Sequence, residues 1–195
     1  MDRSELPSLE QLERERRRIR KRQRRRSRFR SVLGTTLVLL ALAVLVSVYF
    51  LPVLVVQGAS MEPTLREGQA VACVRGSRFQ RGDIVAFHYG SKTLIKRVIA
   101  GEGDTLDIDE QGRVCRNGVW LSEDYVKNSA PGKLSMELPC TVPEDCWFLM
   151  GDNREVSVDS RSAVLGFVSS EQIIGRVSLR LWPLWYWERF YTDKT

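Results

Sequence analysis

The sequence predicts a mainly β domain preceded by a single membrane-spanning helix. Residues 31–51 are 21 largely apolar positions, and no charged residue occurs from Ser31 to Met61. The rest of the chain contains short runs rich in Val, Ile, Leu and aromatic residues, punctuated by Gly, Asp and Asn, as is typical of strands joined by turns. The Asn117-Gly118 pair between two such runs is a strong hairpin signal. Together these patterns predict one helix followed by an all-β domain.

The positive charge is concentrated before the apolar run. The 195-residue chain has a formal net charge of +6, but residues 1–30 hold 13 Lys and Arg against 5 Asp and Glu, and the remainder holds 17 against 19. A bilayer core requires about 20 helical residues. Arginines directly before such a run place the N-terminus in the cytoplasm. We predict a cytoplasmic tail over 1–30, a transmembrane helix over 31–52 and an extracytoplasmic domain over 53–195.

The N-terminal region has other interpretations. A cleavable signal peptide has an apolar core of only about 7–15 residues followed by small residues, whereas this run is longer and ends in bulky LPVLVV. The arginine-rich tail is interpreted as a solvated, disordered arm that sets topology, and contact with anionic lipid headgroups is compatible with that role. No nucleic-acid partner is expected, because neither interleaved aromatic residues nor a folded module accompanies the charge.

Four cysteines lie after the apolar run, at positions 73, 115, 140 and 146. They form no C-x-x-C pair, so the sequence does not predict a zinc site, and we expect neither a metal nor another cofactor. Disulfides are common in extracytoplasmic domains. Cys140 and Cys146 bracket the short segment TVPED and are the most natural pair. The alternative is that all four are free thiols, with Cys73 in a strand core.

Ser60 and Lys96 are the candidate catalytic residues. Ser60 begins SMEPTL, just after the apolar run, and Lys96 lies in the apolar segment TLIKRVIAG. A serine hydroxyl is a weak nucleophile until a base takes its proton. A strand places Lys96 on one face with Leu94 and Val98, and burial there favours the neutral amine, which can act as a base. This pattern predicts proteolysis of a substrate that emerges from a membrane.

Four segments in order resemble the sequence boxes of bacterial type I signal peptidases. They are SMEPTL from Ser60, RGDIVAF at 81–87, KRVIAGEGD at 96–104 and GDNREVSVDSR at 151–161. The resemblance extends over about residues 31–180 and includes the preceding membrane anchor. It implies an enzyme that cuts signal peptides from exported preproteins behind small residues, through an acyl-enzyme.

The same resemblance implies roles for individual residues. Ser60 is the nucleophile, its backbone N–H contributes to the oxyanion hole, and Lys96 is the general base. Ser157 matches the serine that orients the lysine amine. Some family members add a hydroxyl to the oxyanion hole from the position two before the nucleophile. Here that position is Gly58, so the hole must be completed by backbone N–H groups or water.

Two ion pairs are also implied by the resemblance. Asp159 is expected to pair with Arg161 beside the lysine, and Asp152 with Arg97 as a further structural pair.

Apolar residues near the dyad are candidates for the substrate pockets. Their alternative interpretation is ordinary core. They are Val55, Val56, Met61, Leu65 and Ile95. We expect an extended substrate to add as a strand beside residues 53–57, because main-chain hydrogen bonds make few demands on sequence.

Three other functions remain open. A Ser–His–Asp triad would need His88, the only histidine, together with Asp83, but a five-residue spacing puts these on opposite faces of a strand. The second alternative is a processing peptidase devoted to one substrate, such as a pilus subunit. The third is an inactive membrane-anchored binding module.

Overall fold

A computed structural model describes residues 9–76, 79–126 and 128–183 of the chain. The protein is mostly β sheet with one N-terminal helix, which confirms the predicted fold class. The chain divides into two compact units, with the boundary between Ser47 and Val48.

The helix α1 spans Leu9–Phe50 and is 42 residues long. Its segment Arg28–Phe50 has a mean hydropathy of 2.4 and is long and apolar enough to cross a membrane. The expectation of a disordered arm is wrong for residues 9–30, which continue the helix toward the N-terminus. Arg, Lys, Glu, Gln and Leu dominate this stretch and are good helix formers. The apolar helix that follows supplies the nucleus, so each added residue gains a hydrogen bond without a new initiation cost.

Eleven strands follow the helix in the part of the chain that the structure describes. They are β1 (Val53–Val55), β2 (Ala70–Val74), β3 (Ile84–Tyr89), β4 (Lys92–Gly101), β5 (Thr105–Ile108), β6 (Val114–Arg116), β7 (Val119–Trp120), β8 (Cys140–Thr141), β9 (Cys146–Met150), β10 (Val168–Ser169) and β11 (Ile173–Trp182). A 3₁₀ turn at Ser170–Gln172 precedes β11.

The strands form two antiparallel sheets. The larger sheet has the order β1-β2-β11-β3-β4-β9-β10, and the smaller has the order β7-β6-β5-β8. The predicted hairpin at Asn117-Gly118 joins β6 to β7. Within the large sheet β3 is buried on both faces: Ile84 and Ala86 enter one core cluster, and Val85 and Phe87 enter another. The two-residue alternation of a strand explains this division.

A further core cluster joins the two sheets. It combines Ala100 of β4 and Phe148 of β9 with Leu106 of β5 and Val114 of β6, and each of these four side chains is fully buried. The ring of Phe148 also meets Phe167 edge-on, with centroids 6.0 Å apart. This cluster anchors the small sheet to the strands that position the candidate site.

The cysteines correct one expectation. All four are free thiols, so the predicted Cys140–Cys146 disulfide is not formed. Cys140 belongs to β8 of the smaller sheet and Cys146 to β9 of the larger sheet, so their closeness in sequence does not make them strand partners. Cys73 is buried in a strand core, and burial raises the pKa of its thiol to about 11.

We predict that Phe148→Ala lowers the free energy of unfolding by about 3–5 kcal/mol, because it leaves a cavity between the sheets. Thermal and denaturant unfolding of the full chain in detergent micelles measures this. Val164→Ala is the control, since that side chain is 77% exposed and its loss should cost little. Equal unfolding midpoints for the two variants would contradict the assignment of Phe148 to the core between the sheets.

Candidate functional site

Ser60 lies in a tight turn that follows β1. The N–H of Glu62 donates to the Ala59 carbonyl at 3.2 Å, and the N–H of Leu65 donates to the Met61 carbonyl at 2.8 Å. Met61 and Leu65 are 2% and 0% exposed and belong to the cluster that packs under β2 and β3. Because these two side chains anchor the turn, Ser60 is held at its surface and is only half-buried.

Lys96 lies in β4 opposite the fully buried Val85. The predicted burial of the lysine is confirmed, since only 3% of the residue is exposed. Its Nζ donates to Ser60 Oγ at 2.8 Å. Burial lowers the pKa of Lys96 to about 8, and this outweighs the carboxylates of Asp159 and Asp152, which act in the opposite direction. About a tenth of the amine is therefore neutral at pH 7 and about half at pH 8.

The Asp152 carboxylate joins the segments that carry Ser60 and Lys96. Arg97, the residue after Lys96, donates to it from Nε at 2.8 Å and from Nη2 at 2.6 Å. The Thr64 hydroxyl, four residues after Ser60, donates to Asp152 Oδ2. The expected Asp152–Arg97 pair is therefore formed, and it is buried on both sides. Bidentate, charge-assisted bonds fix geometry strongly.

Asp159 and Arg161 form a second buried pair, again as expected. Arg161 donates from Nε and Nη2 to the two carboxylate oxygens, each at 2.8 Å, and the Gly151 N–H donates to Asp159 Oδ2 at 3.0 Å. Burial alone would raise the pKa of Asp159, but the Arg161 guanidinium and the Gly151 N–H hold it below its usual range. Asp159 thus remains ionised and fixes the backbone at Gly151.

Gly151 allows the loop of residues 151–161 to approach the serine turn. A Cβ at this position would overlap the Ser157 hydroxyl and the Ser60 carbonyl oxygen. Two residues later, the Asn153 N–H donates to the Ser60 carbonyl at 3.0 Å, and Asn153 Nδ2 donates to the Ala59 carbonyl at 3.2 Å. The loop therefore holds the carbonyl groups of both Ala59 and Ser60.

Ser157 is buried beside this loop, with 1% of the residue exposed. Its Oγ has no hydrogen bond of good geometry among the described residues. It does lie close enough to the Asp159 carboxylate to help lower the pKa of that group. The structure thus brings Ser157 into the site without bonding it to Lys96.

Gly58 adopts a φ of 76°, in the left-handed region that favours glycine. No other atom lies within 4 Å of where a Cβ would stand, so backbone conformation rather than crowding disfavours a side chain here. Within the described part of the chain, the N–H of Ser60 has no hydrogen-bond partner. A donor is therefore available beside Ser60 Oγ.

Three residues outside the predicted set also hold the site. Arg154, with a fully buried side chain, donates to both oxygens of Glu123 at 2.9 and 2.6 Å and from Nε to the Gly151 carbonyl at 3.0 Å. The Tyr125 hydroxyl donates to Glu123 at 2.6 Å, and the Arg97 guanidinium lies 3.9 Å from the centroid of the Tyr125 ring. Burial and the Glu123 carboxylate raise the pKa of Tyr125 and keep its hydroxyl protonated.

The sequence contains a signal for only one of these three site residues. Arg154 belongs to the polar island 151–161, so its participation is in keeping with that pattern. Glu123 and Tyr125 lie in an irregular loop with neither periodicity nor a motif, and only the folded chain brings them to the site.

A cleft of about 270 Å³ opens beside the two candidate catalytic residues. Two extended segments line it, one before Ser60 and one before Lys96. Its lining residues are Leu54, Val55, Val56, Gln57, Ser60, Met61, Thr93, Leu94, Ile95 and Lys96. Four of the five predicted pocket residues are among them. The fifth, Leu65, is fully buried behind Met61 in the core instead.

The remaining candidates lie elsewhere. His88 is exposed near the end of β3 and does not line the cleft with Ser60. Asp83 is buried and accepts a hydrogen bond from the Gln80 N–H at 2.9 Å. Across residues 9–76, 79–126 and 128–183, no three His, Cys, Asp or Glu side chains are grouped so that they could hold a metal ion.

Comparison with known proteins adds independent information. The family model described as signal peptidase, peptidase S26, matches residues 29–182. The chain is similar to signal peptidase I P of Bacillus subtilis subsp. natto, with 33% identity over 161 residues that cover 76% of this chain and 86% of the relative. It is also similar to signal peptidase I of Bacillus licheniformis, with 32% identity over 160 residues that cover 75% and 85% of the two chains.

Two further similarities are more limited in coverage. Signal peptidase IB of Staphylococcus aureus is 31% identical over 148 residues, which cover 66% of this chain and 76% of the relative. A crystal structure of a signal peptidase I from Enterococcus faecalis matches with 33% identity and a TM-score of 0.45, over 52% of this chain and 98% of that one.

We predict that Asp159→Asn destabilises the protein by about 3–5 kcal/mol at pH 7, because it leaves the buried Arg161 without its counterion. The pKa of Asp159 is lowered by folding, so its stabilisation is present above the ordinary carboxyl pKa and is lost as pH falls through the folded pKa. The difference between wild type and variant should therefore shrink below about pH 4.

Unfolding of the full chain at pH 7 and pH 3 measures this difference. Glu137→Gln is the control, because it removes an exposed carboxylate that forms no ion pair with any described residue and should change the Tm little at either pH. A difference between wild type and Asp159→Asn that is the same at both pH values would contradict the role given to the Asp159 charge.

Proposed function

The chain belongs to the signal peptidase S26 family, and we propose that it removes signal peptides from exported preproteins with Ser60 as nucleophile and Lys96 as general base. The observation that carries this proposal is the 2.8 Å contact between Lys96 Nζ and Ser60 Oγ, with Lys96 buried and Ser60 accessible. When the amine is neutral, the serine O–H donates to the lone pair of Nζ over the same distance. That geometry suits proton removal by a general base.

Acylation follows from this contact. Lys96 Nζ takes the hydroxyl proton while Ser60 Oγ bonds to the scissile carbonyl carbon, and the resulting oxyanion accepts a hydrogen bond from the Ser60 N–H. The intermediate collapses as the carbon–nitrogen bond breaks, and the Lys96 ammonium gives its proton to the leaving amine. The mature chain departs with a free N-terminus, and the signal peptide remains as an ester on Ser60.

Deacylation uses the same groups. Lys96, neutral again, takes a proton from a water molecule that attacks the ester, and the proton then passes to Ser60 Oγ as the ester bond breaks. The signal peptide leaves as a carboxylic acid, which ionises at neutral pH. The buried Ser157 hydroxyl, which makes no hydrogen bond of good geometry with the described residues, is available to orient the Lys96 amine through both stages.

The cleft beside the dyad supports the proposed recognition of small residues. β1 is an edge strand of the large sheet, and β9 pairs with β4 only from Arg97 onward. Residues 54–57 and 93–96 therefore offer main-chain groups on the two sides of the cleft, between which an extended peptide can form hydrogen bonds. Val55, Val56, Met61 and Ile95 supply apolar walls, and we propose that these walls admit Ala and exclude large side chains.

The apolar part of α1 fits a membrane-anchored protein. We further propose that the N-terminus is cytoplasmic and that residues 53–195 are extracytoplasmic, since 13 Lys and Arg lie in residues 1–30. The same charge suits contact with anionic lipid headgroups.

We predict that Ser60→Ala and Lys96→Ala each reduce cleavage of a secretory precursor by at least about a thousandfold, because each removes one half of the nucleophilic pair. Purified full-length variants are incubated with the precursor in detergent micelles, and cleavage is followed by gel and N-terminal sequencing. His88→Ala serves as the matched control and should cleave at close to the wild-type rate. Equal cleavage by all four proteins would refute the dyad.

We also predict that kcat/KM rises about tenfold per pH unit below pH 8 and levels off above it, because Lys96 acts only as the neutral amine. A lysine with its ordinary pKa of 10.5 would instead give a rate that still rises at pH 10. The profile is measured with a peptide that has no titrating group between pH 6 and 10. Absence of an inflection between pH 7 and 9 would contradict the proposed base.

A further inference from the structure

A second cleft, of about 490 Å³, adjoins the turn that carries Ser60. Glu62 and Arg66 line one wall, and Asn153, Glu155 and Val156 line the other. We propose that this cleft binds the first residues of the mature chain, immediately after the scissile bond, and that Glu62 and Glu155 favour a basic side chain there. The inference rests on the proposed function, because it assumes that Ser60 is the nucleophile.

The residues that line the two clefts indicate which half of the substrate each cleft binds. In the first cleft, residues 54–57 lead toward Ser60 and residues 93–95 lead toward Lys96. The signal peptide occupies that side, with its last carbonyl at Ser60 Oγ. The second cleft begins at Glu62, two residues beyond Ser60, and continues at Asn153. This cleft adjoins the Ser60 turn but shares no lining residue with the first cleft, so the part of the substrate after the scissile bond is assigned to it.

Hydrogen bonds tie the second cleft to the nucleophile. The Asn153 N–H donates to the Ser60 carbonyl at 3.0 Å, and its side-chain amide donates to the Ala59 carbonyl at 3.2 Å. The wall that carries Glu155 is thus held against the turn that carries Ser60. Two or three extended residues reach about 7–10 Å, so the cleft concerns the first few positions of the mature chain.

The charges in this cleft suggest what it prefers. The carboxylates of Glu62 and Glu155 form no ion pair with any described residue. Glu62 is half-buried and Glu155 is exposed. Arg66, which also lines the cleft, offsets one of these charges and leaves the lining residues with a net negative charge. Lys or Arg in the substrate can pair with a free carboxylate, whereas Asp or Glu is repelled, most strongly at low salt.

The test uses the full-length protein in detergent micelles and peptides with one common signal half. The first three residues after the cleavage site carry Lys, Gln or Glu one position at a time, and kcat/KM is measured for each. Wild type should prefer Lys to Glu by about threefold to tenfold at one of these positions, as expected of one or two exposed charge pairs. The double variant Glu62→Gln, Glu155→Gln should lose this preference.

Glu137→Gln provides the matched control, because it removes an exposed carboxylate outside both clefts and should keep the wild-type Lys-to-Glu ratio. Equal rates for the Lys and Glu peptides with wild type, or an unchanged ratio in the double variant, would overturn the inference. The ratio of kcat/KM for the Lys and Glu peptides with wild type tests the inference even if the double variant does not fold.

An ester of the signal half, with no residue after the reacting carbonyl, separates the two proposals. If wild type hydrolyses this ester, Ser60→Ala does not, and the Lys-to-Glu ratio is one, the proposed function stands and the inference is wrong. If wild type hydrolyses neither the ester nor the peptides, the proposed function is wrong, and the inference fails with it.

Discussion

The carboxylate of Asp152 is the interaction on which the geometry of the site depends. Ser60 and Lys96 are 36 residues apart and belong to a turn and a strand that share no backbone pairing. Arg97 and Thr64 both bind Asp152, so a displacement of either segment would break a buried, charge-assisted bond. Tyr125 covers the other side of Arg97, and Glu123 holds Arg154 in the same loop as Asp152. The 2.8 Å contact between lysine and serine is thus maintained from several directions.

Burial of so many charges would be costly without this pairing. Asp152 and Asp159 each have an arginine partner, and this limits their electrostatic effect on Lys96. An unpaired carboxylate nearby would favour the ammonium form and weaken the lysine as a base. Because the carboxylates are paired, desolvation has the largest effect on the pKa of Lys96 and lowers it. The proposed chemistry requires this lowered pKa. The ion pairs serve the chemistry by fixing positions and by balancing charge.

Much of the fold could be predicted because its signals are local. The charge-free run, the strand runs and the apolar neighbours of Lys96 all lie within short windows, as do the residues around Ser60. Glu123 and Tyr125 could not be predicted, since their partners, Arg154 in a loop and Arg97 in β4, lie about 30 residues away and only the folded chain brings them close. The disulfide expectation relied on sequence distance, which does not decide whether two thiols meet in the geometry that a bond requires. The expectation of a disordered arm relied on the charge of residues 1–30 and neglected the high helix propensity of the residues in that segment.

The two clefts differ in the physical basis of their proposed selectivity. The first is lined by strand backbone and by apolar side chains, of which Val56 and Met61 are buried, and on the proposed function it selects small residues by volume. The second is polar and open to water, and exposed charge pairs there contribute little energy. On the proposed function, the signal half decides whether cleavage occurs and the mature half only modulates its rate. An enzyme with many substrates needs this asymmetry, because exported proteins share a signal but not an N-terminus.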